Sequence, residues 1–392
     1  MNSRNQLPMT PSLTSRLPAV GTTVFTRMSA LAAQAGAVNL GQGFPDFGCE
    51  RSLIGAVNAA MEADFNQYPM MSGAPVLRHA IGAKIAALYG HQYDVDSEIT
   101  VTAGATQALT TAILCSVHPG DEVIVIEPVY DSYVPAITLA GGVAVAVEME
   151  VGAKGYAVPW TKVAAAVNGK TRMIVINTPH NPTSSVLRAA DMQALADIVR
   201  GTNVLILSDE VYEHMVYDGQ RHESVSRHPE LAARAFVVSS FGKTYHVTGW
   251  KIGYVAAPAA LMAEFRKVHQ YNVFSVNTPM QHGIASYMAD PKPYLELPAF
   301  YQRKRDLFRD GLKNTRFELL PADGTYFQCV RYDRVSSRTE AEFAEWLTTE
   351  IKVAAIPVSA FYQQGKESGV VRFCFAKKDE TLALALERLA TV

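Results

Sequence analysis

A chain of 392 residues with 48% hydrophobic content lies well above the size at which a core is marginal, so one large domain plus a smaller one is expected, without covalent staples. Its 35 Lys and Arg, scattered among 37 Asp and Glu for a formal charge of −2, offer no electrostatic footprint for nucleic acid. The four cysteines, Cys49, Cys115, Cys329 and Cys374, show no C-x-x-C spacing, which argues against a disulfide scaffold and a metal site and fits a reducing cytoplasm.

Residues 1–45 read as an arm, because Pro8, Pro11, Pro18 and Pro45 prevent one regular element from running through them. Met1 to Val20 lack the apolar stretch of a secretion signal, and no uncharged apolar run approaches the roughly 18 residues of a membrane span. Beyond the arm, short apolar runs end in polar or glycine-bearing turns and alternate with helical segments. That is the α/β pattern of a mostly parallel sheet with crossover helices. Strands are expected at 99–102, 122–127, 172–177, 204–208, 235–239 and 253–257, with helices at 106–116 and 259–271. From about residue 291 the pattern changes to a long polar helix, a strand at 326–332, a helix at 341–351, strands at 353–358 and 370–376, and a final helix. This reads as a smaller α+β domain, giving a division into the arm 1–45 as part of the small domain, a large domain 46–290 and a small domain 291–392.

In open α/β sheets ligands bind outside the carboxyl ends of the strands, so the residues that follow each strand carry the functional signal. After the first comes Ala103-Gly104-Ala105-Thr106-Gln107, a small-residue turn opening a helix; its free N–H groups suit a phosphate, though an ordinary helix start would look the same. After the third comes Thr178-Pro179-His180-Asn181-Pro182-Thr183, a rigid turn presenting an amide, or simply a turn. Asp209 closes an apolar run long enough to be buried on both faces. A carboxylate there needs a cation, which either a protonated cofactor ring nitrogen or a nearby Lys or Arg would supply. Tyr212 could reach the same cleft or merely pack.

The stretch Ser239-Ser240-Phe241-Gly242-Lys243-Thr244, followed by Gly249-Trp250-Lys251-Ile252-Gly253, sets one lysine past an apolar strand and a second eight residues on. The pair suits a Schiff-base amine beside a phosphate anchor, against the plain alternative of solvated surface lysines. Alternation over 370–376 puts Val371, Phe373 and Phe375 on one face and Arg372 on the other, where it could clamp a carboxylate or stand exposed. Together these strand-end residues specify a pyridoxal phosphate site. No G-x-G-x-x-G, Walker A, H-E-x-x-H or G-x-S-x-G motif competes.

With these residues in view, the chain resembles the class I/II aminotransferases of pyridoxal phosphate fold type I across nearly its whole length. The markers are Gly41-Gln42-Gly43-Phe44-Pro45-Asp46, Asn66-Gln67-Tyr68, Asn177-Thr178-Pro179-His180-Asn181-Pro182, Ser208-Asp209-Glu210-Val211-Tyr212, Ser240-Phe241-Gly242-Lys243-Thr244 and Arg372-Phe373-Cys374-Phe375. Within that family it is most similar to the methionine aminotransferases and the kynurenine and glutamine aminotransferases, through Thr244-Tyr245-His246-Val247-Thr248-Gly249-Trp250-Lys251 and Val268-His269-Gln270-Tyr271.

The resemblance implies a seven-stranded, mostly parallel sheet and a homodimer. It implies that Lys243 forms the Schiff base and shuttles the substrate's proton, that Asp209 keeps the pyridine nitrogen protonated, and that Tyr212 and Asn181 bond the ring's phenolic oxygen. Tyr130 would stack on the ring. The phosphate would lie among the Ala105 and Thr106 amides, Ser240 and Lys251, with Tyr68 reaching across from a second subunit. Arg372 and Asn181 would bind the substrate carboxylate, with Gly43, Phe44, Phe25 and, across the interface, Phe274 nearby.

Three positions depart from the family pattern or narrow it. Relatives usually carry glycine where this chain has Ser184. The segment Tyr271-Asn272-Val273-Phe274-Ser275-Val276 holds no second arginine for acidic substrates, and it has Ser275 where kynurenine aminotransferases commonly have histidine. Phe25, Phe44, Tyr130, Tyr271 and Phe274 could instead line an apolar side-chain pocket, or pack in the core or interface. The expected activity is transfer of the amino group of methionine or an aromatic amino acid to a 2-oxo acid by ping-pong kinetics, in a cytoplasmic homodimer. The competing readings are a fold type I carbon–sulfur β-lyase, which needs the same lysine, aspartate and clamp, and a non-catalytic ligand-binding module.

Overall fold

A computed structural model describes residues 13–152 and 155–392. Pro8 and Pro11 lie outside the described residues. The central sheet has seven strands in the spatial order Ile99–Thr102, Gly253–Ala256, Ala235–Ser240, Leu205–Asp209, Thr171–Asn177, Glu122–Glu127 and Val143–Glu148. All neighbours are parallel except Gly253–Ala256, which runs antiparallel to both of its partners.

The inner strands are apolar without a break because helices cover both sides of the sheet. Val123, Val125, Met173, Val175, Leu205 and Leu207 enter one layer of the core, while Ile124, Ile126, Ile174, Ile176 and Ile206 enter the other. This is the period of two expressed as two buried layers. The seventh strand, Val143–Glu148, was not among the strands read from the apolar runs. It is an edge strand, with one neighbour and only Val147 buried, so its Val-Ala alternation carries a weak signal.

A second sheet of four antiparallel strands joins Glu318–Leu319, Phe327–Arg331, Val370–Cys374 and Ile356–Pro357. The predicted helix over 341–351 is α-helical at Glu340–Trp346, opened by a Thr339/Glu342 capping box, and widens to a π-turn at Leu347–Ile351. The arm holds a regular element: between Pro18 and Pro45 lies helix Val24–Ala35, capped by the Thr23 side chain and ended by Gly36 at φ 61°. After it, Val38–Asn39 pairs in parallel with Val353–Ala354. The prolines flank this helix and leave its interior free. Among the described residues no helix is long and apolar enough to cross a membrane.

Candidate active site

The carboxyl ends of the central strands open into a cavity of about 320 Å³, closed on the other side by the 41–44 segment and strand Val370–Cys374. Of the residues singled out from sequence, Phe25, Gly43, Phe44, Ala105, Thr106, Tyr130, Asn181, Asp209, Tyr212, Ser240, Lys243, Lys251 and Arg372 all line it. Tyr68, Tyr271 and Phe274 do not. Tyr271 is 88% exposed, and Tyr68 and Phe274 meet edge to face outside the cavity, with ring centroids 5.2 Å apart.

Lys243 sits in the short helix Phe241–Thr244, which Ser240 caps through its hydroxyl at 3.2 Å from the Gly242 amide. Its Nζ donates to the Gly43 carbonyl at 3.0 Å and to the Tyr326 hydroxyl at 2.8 Å. The low-polarity walls of the cleft pull its pKa down to about 8, the nearby Arg372 charge adding to the fall. At cellular pH a useful fraction is the neutral, nucleophilic amine.

Asp209 ends strand Leu205–Asp209 and is buried. Burial pushes its carboxyl up to about 6, against the pull of a hydrogen bond from Tyr133. Tyr133 Oη donates to Asp209 Oδ2 at 2.5 Å. Asn177, at the end of the neighbouring strand, donates from Nδ2 to the Asp209 carbonyl at 2.9 Å and accepts the Asn181 amide at 2.8 Å. One side chain thus braces both groups.

Arg372 is buried on both sides of its strand, so of the two readings open from sequence the exposed cation does not apply. The reason is cover from outside the strand: its guanidinium lies 3.9 Å from the Phe327 ring centroid, 5.2 Å from Phe361 and 5.5 Å from Phe25. Nη1 donates to Asn181 Oδ1 at 2.6 Å and Nη2 to the Gly41 carbonyl at 3.0 Å, while Nε has no partner.

Whether these residues fit pyridoxal phosphate turns on three features. Gly104, at φ 77°, opens helix Gly104–Ser116, and a Cβ there would stand 3.2 Å from Lys251 Cε. The glycine leaves the cradle open between a lysine and the helix amides, as an anion requires. Asp209 on the floor is a buried carboxylate with no cation bonded to it, matched to a protonated ring nitrogen. Arg372 stands on the wall contributed by the second sheet. The donor set fits the cofactor.

Ser184, the departure from the family turn, adopts φ 61°, the left-handed region where glycine is favoured. Its hydroxyl makes two bonds that glycine cannot, to Thr325 Oγ1 at 2.9 Å and to the Phe327 carbonyl at 2.8 Å. Tyr133, Tyr326, Asn177 and Asp131 are site residues that the sequence reading did not assign; among apolar neighbours a buried tyrosine reads as packing.

The comparisons with known proteins agree with this geometry. Residues 35–389 match the family described as aminotransferase class I and II. The methionine aminotransferase of Escherichia coli is 50% identical over 383 residues, covering 97% of this chain and 98% of the relative. A probable N-succinyldiaminopimelate aminotransferase of Mycobacterium tuberculosis is 39% identical over 96% of this chain and 98% of its own length. Kynurenine–oxoglutarate transaminases are also among the relatives. The crystal structure of an Escherichia coli protein, whose reactivity identified a methionine aminotransferase function, superposes with a TM-score of 0.95 at 49% identity, covering 98% of this chain and 100% of that one. With the chain matched from Ala35 to Leu389 and its strand ends converging on one lysine, the protein belongs to the class I and II aminotransferases, a family that works with pyridoxal phosphate.

Proposed function

We propose that this aminotransferase takes the amino group of methionine or an aromatic amino acid and passes it to a 2-oxo acid, as a cytoplasmic homodimer. The observation that carries the reading is the convergence of Lys243, Asp209 and Arg372 on one cavity. When bound, pyridoxal phosphate supplies an aldehyde for the amine to join and a cationic ring that stores the electron pair left at the substrate Cα.

Each side chain has a defined task toward that chemistry. Lys243 Nζ would take the proton from Cα of the bound substrate and deliver a proton to the other reacting carbon. Asp209 would hold the ring nitrogen's proton in place by charge. Tyr212 Oη and the Asn181 amide would bind the phenolic oxygen, and Tyr130 would cover the ring face. Ala105, Thr106, Ser240 and Lys251 would hold the phosphate at the start of helix Gly104–Ser116. Arg372 fixes the substrate carboxylate, which sets Cα within reach of Lys243.

The side-chain preference is supported by the apolar lining of Phe25, Phe44, Leu109 and Phe327, and by Asp131, a carboxylate on the same cavity that repels acidic substrates. The 50% identity to a methionine aminotransferase supports the same reading. The two-body division, with residues 1–45 joined to 291–392 and 46–290 forming the large body, is supported by the pairing of Val38–Asn39 with Val353–Ala354. Exposure of Tyr68, Met70, Tyr271 and Phe274 supports a dimer in which Tyr68 and Phe274 reach the partner's site.

The test is a spectrum of the reconstituted enzyme with methionine and no acceptor. Conversion of the visible cofactor band to the aminated form, and its return on adding a 2-oxo acid, supports the reading. Pyruvate and ammonia accumulating from a cysteine conjugate while the band persists would instead establish a lyase. Binding without turnover on any amine would leave a ligand-binding module.

A further inference from the structure

Lys243, Tyr326 and Gly43 form a closed triangle of hydrogen bonds. Lys243 Nζ donates to Tyr326 Oη at 2.8 Å and to the Gly43 carbonyl at 3.0 Å, and Tyr326 Oη donates its own proton to the same carbonyl at 2.5 Å. With its O–H committed to Gly43, the only capacity left on the Tyr326 oxygen is as an acceptor, and that lone pair faces the amine. We propose that Tyr326 is a positioning residue for Lys243: its hydroxyl receives an N–H of the freed amine and so holds the lysine over the cleft as the ammonium that proton transfer from the substrate creates.

The proton balance is simple. The Cα–H bond would break with its electron pair passing into the conjugated system that the cofactor supplies, the proton would join Nζ, and a proton from Nζ would then form the new C–H bond at the second reacting carbon with that pair. Tyr326 keeps its proton throughout, since burial lifts its phenol well above the ordinary value. Two oxygen acceptors, Tyr326 Oη and Gly43 O, serve the ammonium better than the neutral amine. They oppose the desolvation that weakens the base.

The placement of Tyr326 is specified by its surroundings. Thr325 adopts φ 59°, an unfavourable conformation for a β-branched residue, and is held there through its hydroxyl bond to Ser184. The Tyr326 carbonyl accepts the Phe375 amide at 2.9 Å. Its ring stands edge to face with Tyr212 at 5.2 Å and near Tyr301 at 5.6 Å. Tyr301 supplies the contrast: it is equally buried, yet its hydroxyl has no partner. A tyrosine that only packs looks like Tyr301.

The titratable and charged groups facing Lys243 are Asp209 and Tyr212 from the end of strand Leu205–Asp209 and just beyond it, Arg372 and Cys374 from strand Val370–Cys374, Lys251 from the turn after Thr248–Trp250, and Tyr326 itself. Removing the Tyr326 hydroxyl leaves these charges in place and also takes away a hydroxyl partner of Tyr212. The proposal rests on Lys243 being the reacting amine.

The experiment uses the whole chain freed of cofactor. Carbamylation of Lys243 by cyanate is followed by mass spectrometry of its peptide between pH 6 and 10, for the wild type, Tyr326→Phe and Tyr301→Phe. Loss of an acceptor from the ammonium is expected to move the Tyr326→Phe curve to lower pH by about one unit, about tenfold in proton concentration, while Tyr301→Phe overlays the wild type. The phenyl ring preserves the packing, and far-UV circular dichroism checks it. On reconstituted enzyme, Tyr326→Phe should also enlarge the kinetic isotope effect with Cα-deuterated methionine while leaving KM within about twofold. Coincident titration curves for Tyr326→Phe and the wild type overturn the proposal. Transamination that survives Lys243→Ala would overturn the reading beneath it, a separate and distinguishable result.

Discussion

Tyr133 donates its phenolic proton to Asp209 across 2.5 Å, and both side chains are buried. This bond favours the ionised carboxylate and opposes the burial that lifts Asp209 to about 6. Tyr133→Phe should therefore raise the carboxyl pKa further, by about one unit, on the scale of one hydrogen bond to a charged group. Cofactor retention measured by gel filtration across pH 6 to 8 should then fall toward its acid end in the variant. Identical retention profiles would show that Tyr133 only packs.

Asp209 also sets a cost on the cofactor-free protein. Its folded pKa of about 6 lies above the unfolded value of about 3.9, so its contribution to stability is intact below pH 4 and lost as pH rises through 6. Asp209→Asn removes that loss. The apoprotein should gain about 1–3 kcal/mol at pH 7.5 by urea denaturation, with the gain shrinking by pH 5, while transamination drops by at least about 10²-fold. A less stable variant at pH 7.5 would contradict the sign worked out here.

Ser184 tests how the asparagine turn tolerates a side chain. Ser184→Ala keeps the left-handed backbone but leaves Thr325 Oγ1 and the Phe327 carbonyl without its hydroxyl, at a cost of about 1–3 kcal/mol. Ser184→Gly loses the same bonds and relieves about 1 kcal/mol of backbone strain, so it should be the milder change. Midpoints in the opposite order would mean that the left-handed backbone here carries no strain, and a Ser184→Ala midpoint equal to the wild type would mean that the hydroxyl bonds do not hold this turn.

Arg372→Lys keeps the charge and gives up the fork. An ammonium cannot span Asn181 Oδ1, the Gly41 carbonyl and a substrate carboxylate in one plane. The expectation is a KM raised about 10–100-fold for both amino and oxo acid, with a smaller change in kcat. Equal losses in kcat and kcat/KM with unchanged KM would place the residue elsewhere in the reaction.

What could be read before folding depended on contrast along the chain. Asp209 and Lys243 stood out because a charge at the end of an apolar run is costly unless used, and both face the cavity. Arg372 was legible as a clamp but not as a buried one: the rings that cover it, Phe25, Phe361 and Phe327, come from three separate stretches of chain. Helix Val24–Ala35 carried its own signals in Thr23 and Gly36, outweighed in the reading by four prolines that lie outside it. Tyr133 and Tyr326 were illegible in principle, since only the third dimension separates a bonded phenol from a packed one. The positions of Tyr68 and Phe274, outside the cavity of their own chain, follow from the same dimension.

The bond from Arg372 to the Gly41 carbonyl spans 331 residues of sequence. All the residues between Gly41 and Arg372 must leave the ribosome before this bond, part of the proposed carboxylate clamp, can exist. The central sheet, whose strands all lie between Ile99 and Ala256, can be complete earlier. A nascent chain thus acquires the groups proposed to hold a phosphate and an aldehyde before it acquires the one proposed to bind the substrate carboxylate.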